Sequence, residues 1–182
     1  MFLLEVDPLD LGADVKAIGL ELLEPGTREP VRGPEAARVW SRVLPSLAMA
    51  EPWALDFFSH LDRVRDYCSQ HGIAHRNSAG RCIVVPELDP APLEELLLRF
   101  EKETFGARAG ARIDSDAELE GELSRRGADG YHHAFANYFF CAVCDFENGA
   151  LTLLTNRLWA SEVVRRITPV VRDLGVEVRL PV

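Results

Sequence analysis

The sequence predicts an α+β fold, and three observations carry the prediction. Some windows repeat apolar residues at helical spacing while others alternate with period two. Two apolar runs, 137–146 and 150–155, flank Glu147-Asn148-Gly149, and Asn-Gly supplies the positive φ angles of a tight antiparallel hairpin. With 182 residues, 47% of them hydrophobic, the chain suffices for one domain, 1–182, that buries roughly 70% of its unfolded surface. Sub-units 1–80 and 81–182 are the alternative division.

Residues 2–6 and 15–23 read as an N-terminal hairpin, because Ile18, Leu20 and Leu22 alternate with Gly19 and Glu21. Glu24-Pro25-Gly26-Thr27 is a turn, and Gly33-Pro34 supplies the cap and first position of a helix carrying Ala36, Val39, Trp40, Val43 and Leu44. Pro45 is expected to end or kink it. A second helix is expected from Pro52, since Ala54, Phe57, Phe58, Leu61, Val64 and Cys68 fall on one stripe, and Gly72 stops it. Residues 73–76 and 81–85 flank Asn77-Ser78-Ala79-Gly80 and read as a second hairpin, closed by Pro86.

Pro90 and Pro92 open a helix with Leu93, Leu96, Leu97 and Phe100 on its inner face, ended by Gly106. Residues 106–112 follow as a loop, and Ser115 with Glu118 makes a capping box for an inserted acidic helix. The strand 137–146 is apolar on both faces and belongs inside a covered sheet. Residues 158–174 read as a helix despite Pro169, and Gly175 leads into a strand over 176–180. From Arg81 onward the order is therefore β-α-β-β-α-β around an acidic helical insertion, preceded by a hairpin and two helices. It resembles the ferredoxin-like order in topology only, and implies no function. A helix running into Gly and a short strand occurs near Gly72 and again near Gly175, as a worn duplication would leave.

Twenty Lys and Arg against 29 Asp and Glu give a net charge of −9, which disfavours nucleic acid through repulsion from phosphate. The middle segment, 87–129, carries −6 of this. The N-terminus meets Glu5 and Asp7 before an apolar stretch of signal-peptide length can form, and the run from Tyr138 to Cys144 is far short of the roughly 18 residues of a spanning helix. A cytoplasmic location is the expectation, with no membrane role, and with Cys68, Cys82, Cys141 and Cys144 as thiols or ligands rather than disulfides.

The sharpest candidate for chemistry is Cys68, His71, His75 and Cys82, two thiols and two imidazoles of the kind tetrahedral zinc takes. Convergence requires a loop over 77–80, which sets His75 opposite Cys82; a three-residue loop with Gly80 as a bulge breaks that register. The spacing is not that of the usual zinc knuckles, and Cys68 falls on the apolar stripe, so packing thiols and no cofactor are the simpler reading. Cys141-Ala142-Val143-Cys144 has redox spacing but lies mid-strand rather than at a helix N-terminus.

His132 and His133 are the candidate catalytic residues, as an imidazole base near Asn137 and Asp145, although surface histidines are the plainer reading. Arg108 and Arg112, ahead of the acidic helix, are the candidate anion site, opposed by Asp114, Asp116, Glu118, Glu120 and Glu122. Asp56 and His60 have the i, i+4 spacing of a helical ion pair. No phosphate-loop, dinucleotide, serine-hydrolase or zinc-protease motif occurs. The expected function is therefore a non-enzymatic protein-interaction module that self-associates or serves as the acidic partner of a basic protein. The alternatives are a small enzyme or ligand-binding domain using His132 or His133, and a zinc protein built on the Cys68 set.

Overall fold

The computed structural model describes residues 1–10, 16–48, 53–56, 61–78, 82–85, 89–99, 105–109, 140–145, 150–155 and 159–180. The protein is mixed α/β, with four α-helices among the described residues beside strands joined in one sheet. The N-terminal hairpin is present as β1 (Phe2–Asp10) and β2 (Lys16–Leu23), paired antiparallel with Leu4 opposite Leu22 and Val6 opposite Leu20. Helix α1 (Gly33–Ala48) follows. It starts at Gly33, whose φ of 64° is a left-handed value that glycine adopts without strain, and runs through Pro45. Leu44 and Leu47, both fully buried, hold the last turn in place against the roughly 3 kcal/mol that an interior proline costs.

The second helix begins later than its apolar stripe implies. Residues Trp53–Asp56 are strand β3, and helix α2 spans Leu61–Gln70. Trp53 and Leu55 alternate with Ala54 and Asp56, a period-two pattern concealed inside the helical one, and β3 has a ladder partner on each side. The next hairpin is β4 (Arg76–Ser78) with β5 (Cys82–Val85). Helix α3 (Pro90–Arg99) buries Leu93, Leu96 and Leu97 as its spacing requires.

A further strand, β6 (Phe105–Ala109), stands where a loop starting at Gly106 was expected. Its glycine and alanines have poor strand propensity, but β3 on one side and β7 on the other satisfy its backbone. The Asn-Gly hairpin is β7 (Phe140–Asp145) with β8 (Ala150–Thr155), closing with Asp145 opposite Ala150. Helix α4 (Ala160–Val171) runs through Pro169 into a short 3-10 turn, Arg172–Leu174, and Gly175 (φ 69°) reverses the chain into β9 (Val176–Arg179). The expected acidic helix near Ser115 lies outside the described residues.

The sheet order is β4-β5-β3-β6-β7-β8-β2-β1-β9. This departs from the ferredoxin-like arrangement. An extra strand follows α3; β3 and β6 separate β5 from the β7–β8 hairpin; and β9 pairs in parallel with β1 at the far end. Strands of the N-terminal half intercalate among those of the C-terminal half, so the unit read from Arg81 onward does not close on itself. The two helix-to-glycine-to-strand junctions, at Gly72 (φ 66°) and Gly175, lead to the two edge strands, β4 and β9.

One register parity lines the large core, while Leu3, Ala17 and Leu23, of the opposite parity, are buried on the other face. Leu4, Val6, Ile18, Leu20, Leu22, Leu151, Leu153 and Val85 share a parity along the ladders and are all buried. They form one cluster with Trp40, Val43 and Leu44 of α1, Val64 and Cys68 of α2, Leu96 of α3 and Val163 and Ile167 of α4. All four described helices therefore cover the same face of the sheet. Pro8 fits the edge of this arrangement. The amide of Phe2 points to β9, so positions of the same parity do too, and Pro8 lies beyond the last residue that β9 pairs.

Candidate functional site

Of the four residues of the metal candidate, Cys68 lies in α2, His71 and His75 follow it, and Cys82 opens β5. Cys68 is fully buried in the core, and that burial pushes its thiol pKa up, which disfavours the thiolate a metal needs. His71 and His75 are each held by a backbone carbonyl: Nδ1–H of His71 donates to Tyr67 O at 2.9 Å, and Nδ1–H of His75 to Ile73 O at 2.7 Å. The hairpin register sets Cys82 opposite Ser78 and Arg76 opposite Val84, so the connection is the three residues 79–81. His75 is therefore not the partner of Cys82, and the pairing that brought four donors together is corrected. Among the described residues no group of three His, Cys, Asp or Glu is placed to hold a metal ion.

Cys141 and Cys144 both fall within β7, an extended strand between β6 and β8, as expected of a mid-strand pair. His132, His133 and Arg112 lie outside the described residues, as does His60. Arg108 belongs to β6, where it pairs with Ala54 and Cys141, rather than to a loop ahead of a helix. Asp56 ends β3 opposite Gly106 and is not on a helix, so its i, i+4 relation to His60 loses its basis.

What the structure does bring together was not singled out in the sequence. The first site is the seam of α2 and α3. Tyr67, buried, donates its hydroxyl to Glu95 Oε2 at 2.5 Å. Arg99 bonds Glu95 Oε1 at 3.3 Å and lies over the Tyr67 ring, 4.9 Å from its centroid. His71 stacks on the same tyrosine with centroids 4.0 Å apart, and its Nε2 is 3.9 Å from Glu95 Oε2. Burial first, then the Glu95 hydrogen bond and charge, holds the Tyr67 phenol well above its ordinary pKa. That same hydrogen bond, helped by Arg99 and His71, holds Glu95 below the usual carboxylate range. An open groove of about 360 Å³ adjoins this seam, lined by Arg63, Asp66, Tyr67, Gln70 and Arg99. It offers donors to an anionic group from Arg63 and Gln70, but Asp66 and Glu95 offset much of the positive charge. The i, i+4 spacings Tyr67–His71 and Glu95–Arg99 are legible in the sequence; the meeting of the two pairs across 28 residues is not.

The second site is the sheet face turned away from the helices. Its register rows place Glu5 opposite Glu21 and Asp7 opposite Gly19, with Ala150 and Thr152 of β8 beside them. The Leu9 side chain lies across Gly19, its Cδ1 3.4 Å from where a Cβ would stand, and a hollow of about 150 Å³ adjoins it, rimmed by Glu5, Asp7, Leu9, Glu21 and Thr152. Arg28 bonds Glu5 at 2.7 Å, while Asp7 and Glu21 remain exposed. At the next strand, Glu177 and Arg179 pair at 2.8 Å, which lowers the glutamate pKa and raises that of the arginine. The face therefore presents Asp7 and Glu21 exposed, with Glu5 and Glu177 paired to Arg28 and Arg179.

Fold and sites together define a mixed α/β protein whose described helices are gathered on one side of its sheet. Compared with protein-family models, with curated proteins and with solved structures, the chain matches none. Among the described residues no helix is long and apolar enough to cross a membrane.

Proposed function

We propose that this protein is a non-enzymatic interaction module whose open sheet face docks a basic protein partner. The observation that supports this reading is the one-sided packing of the helices. No described helix covers the opposite face around Gly19, where only the Leu9 side chain crosses the glycine, and the exposed carboxylates Asp7 and Glu21 stand at the rim of the adjoining hollow, in reach of a cationic side chain. A net charge of −9 acts in the same direction, steering a cationic partner toward the chain at long range. A cytoplasmic setting belongs to the same reading.

The test uses the full chain and an oligo-arginine peptide as probe, followed by amide chemical shifts. Gly19, Glu21 and Thr152 are expected to move, with affinity falling about tenfold between about 50 and 200 mM salt, as two or three screened ion pairs imply. Asp7→Asn with Glu21→Gln should weaken binding by a similar factor. Shifts confined to other surfaces, or binding indifferent to the double substitution, would overturn the assignment.

A further inference from the structure

We infer that two copies of this chain join edge to edge through β9, in antiparallel register about a two-fold axis at Val178. The inference goes beyond the open-face reading, uses the sheet edge instead of the sheet face, and stands if that reading fails.

β9 ends the sheet, and β1 is its only partner among the described strands. Backbone direction decides what its outer side offers. Phe2 donates its N–H to Gly175 O at 2.8 Å and pairs in parallel with Val176. In a parallel ladder the bonded groups come from alternate residues, so Glu177 and Arg179 turn their amide groups to β1. Val176 and Val178 then present both N–H and C=O at the outer edge. Such an edge is a template for another strand unless the sequence blocks it, and β9 carries neither proline nor lysine.

The side chains select one pairing. Placing Val178 opposite Val178 of a second copy makes it a hydrogen-bonded pair, because it offers donor and acceptor to the same side. The flanking positions then set Glu177 against Arg179 twice, at the closer, non-hydrogen-bonded sites where opposite charges meet across about 4.5 Å of Cα separation. Val176 falls opposite Leu180, which is 43% exposed in the single chain. Sliding the register by one position on each strand gives Glu177 against Glu177, or Arg179 against Arg179, and both are repulsive. The segment Val176-Glu177-Val178-Arg179-Leu180 is thus self-complementary in one antiparallel register and self-excluding in its neighbours. A two-fold pairing closes, so it yields a dimer and not a filament.

Five residues a side is a small interface of the transient class, so the dissociation constant is expected at about 10–100 μM. Sedimentation velocity of the full chain up to ~1 mM should show a reversible monomer–dimer equilibrium at that level. Glu177→Arg alone and Arg179→Glu alone should each weaken the dimer about tenfold or more, with unchanged circular dichroism. An equimolar mixture of these two variants should recover dimer, since each supplies the charge the other lacks. So should the chain carrying both substitutions, Glu177→Arg with Arg179→Glu. Val178→Pro should abolish association, because the N–H it deletes faces away from β1. A chain that remains monomeric throughout the range, or a dimer indifferent to both charge reversals, overturns the inference. Asp7→Asn with Glu21→Gln leaves the β9 edge intact, so failure of peptide docking and failure of dimerisation are read separately.

Discussion

Trp40 lies at the centre of the buried face of α1, fully enclosed, and its indole Nε1–H has no hydrogen-bond acceptor among the described residues. A buried donor without a partner costs about 1–3 kcal/mol. Trp40→Phe removes that donor together with two ring carbons, and at ~0.8 kcal/mol for each buried carbon group the lost burial is about 2 kcal/mol. The two effects oppose each other, so the unfolding free energy is expected to change by no more than about 1 kcal/mol. Trp40→Ala gives up most of the burial and leaves a cavity among Val43, Leu44 and their neighbours, at about 3–5 kcal/mol. The measurement is urea unfolding followed by far-ultraviolet circular dichroism, which does not rely on the indole being removed. Equal m-values would establish that the unfolded reference is unchanged. If Trp40→Phe loses more than about 3 kcal/mol, close to the alanine variant, the orphan-donor reasoning is refuted and a buried water must satisfy the indole.

The other predictions concern the seam, the buried thiol and the joint before β9. Glu95 is depressed in the folded state, first by the Tyr67 hydroxyl, so its contribution is complete above the unfolded carboxylate value of about 4.3 and disappears as pH falls through the folded one. Tyr67→Phe should therefore lower stability at neutral pH and match the parent chain near pH 2, approximately; equal deficits at both pH values would contradict the Glu95 coupling. Cys68 should resist thiol reagents in the native chain and react on unfolding, read by mass spectrometry of its peptide, and native labelling as fast as in urea would contradict its burial. Gly175→Ala should cost about 1 kcal/mol through its left-handed backbone, the nearest obstacle to a Cβ being Met1 Cα at 3.9 Å, and Gly175→Asn should cost less. An unchanged melting temperature for Gly175→Ala would show that the joint does not depend on that conformation.

The elements legible in the sequence are those whose signal is local. The β7–β8 hairpin follows from Asn148-Gly149, the β1–β2 hairpin from the alternation at Ile18, Leu20 and Leu22, and α3 from Pro90 with its leucines at helical spacing. The strands β3 and β6 are short and weak in propensity, and both exist because ladders on each side complete their hydrogen bonds. Helix α1 continues past Pro45 for a comparable reason, since burial of Leu47 outweighs a local break. The candidate sites divide in the same way. Tyr67 with His71 and Glu95 with Arg99 are visible as spacings, whereas the Tyr67–Glu95 bond requires two helices to pack.

The sequence by itself determined where the helices and hairpins with strong local patterns lie, the acidic balance of the chain, and the self-complementary charge order of residues 176–180. Only the tertiary structure decided that N-terminal strands intercalate among C-terminal ones, that the four described helices gather on one face, and that β9 is an edge among the described strands. The physical reason is the range of the forces. Periodicity and turn chemistry act within a few residues, while strand order is settled by which apolar rows bury together, and that comparison runs between segments up to about 170 positions apart.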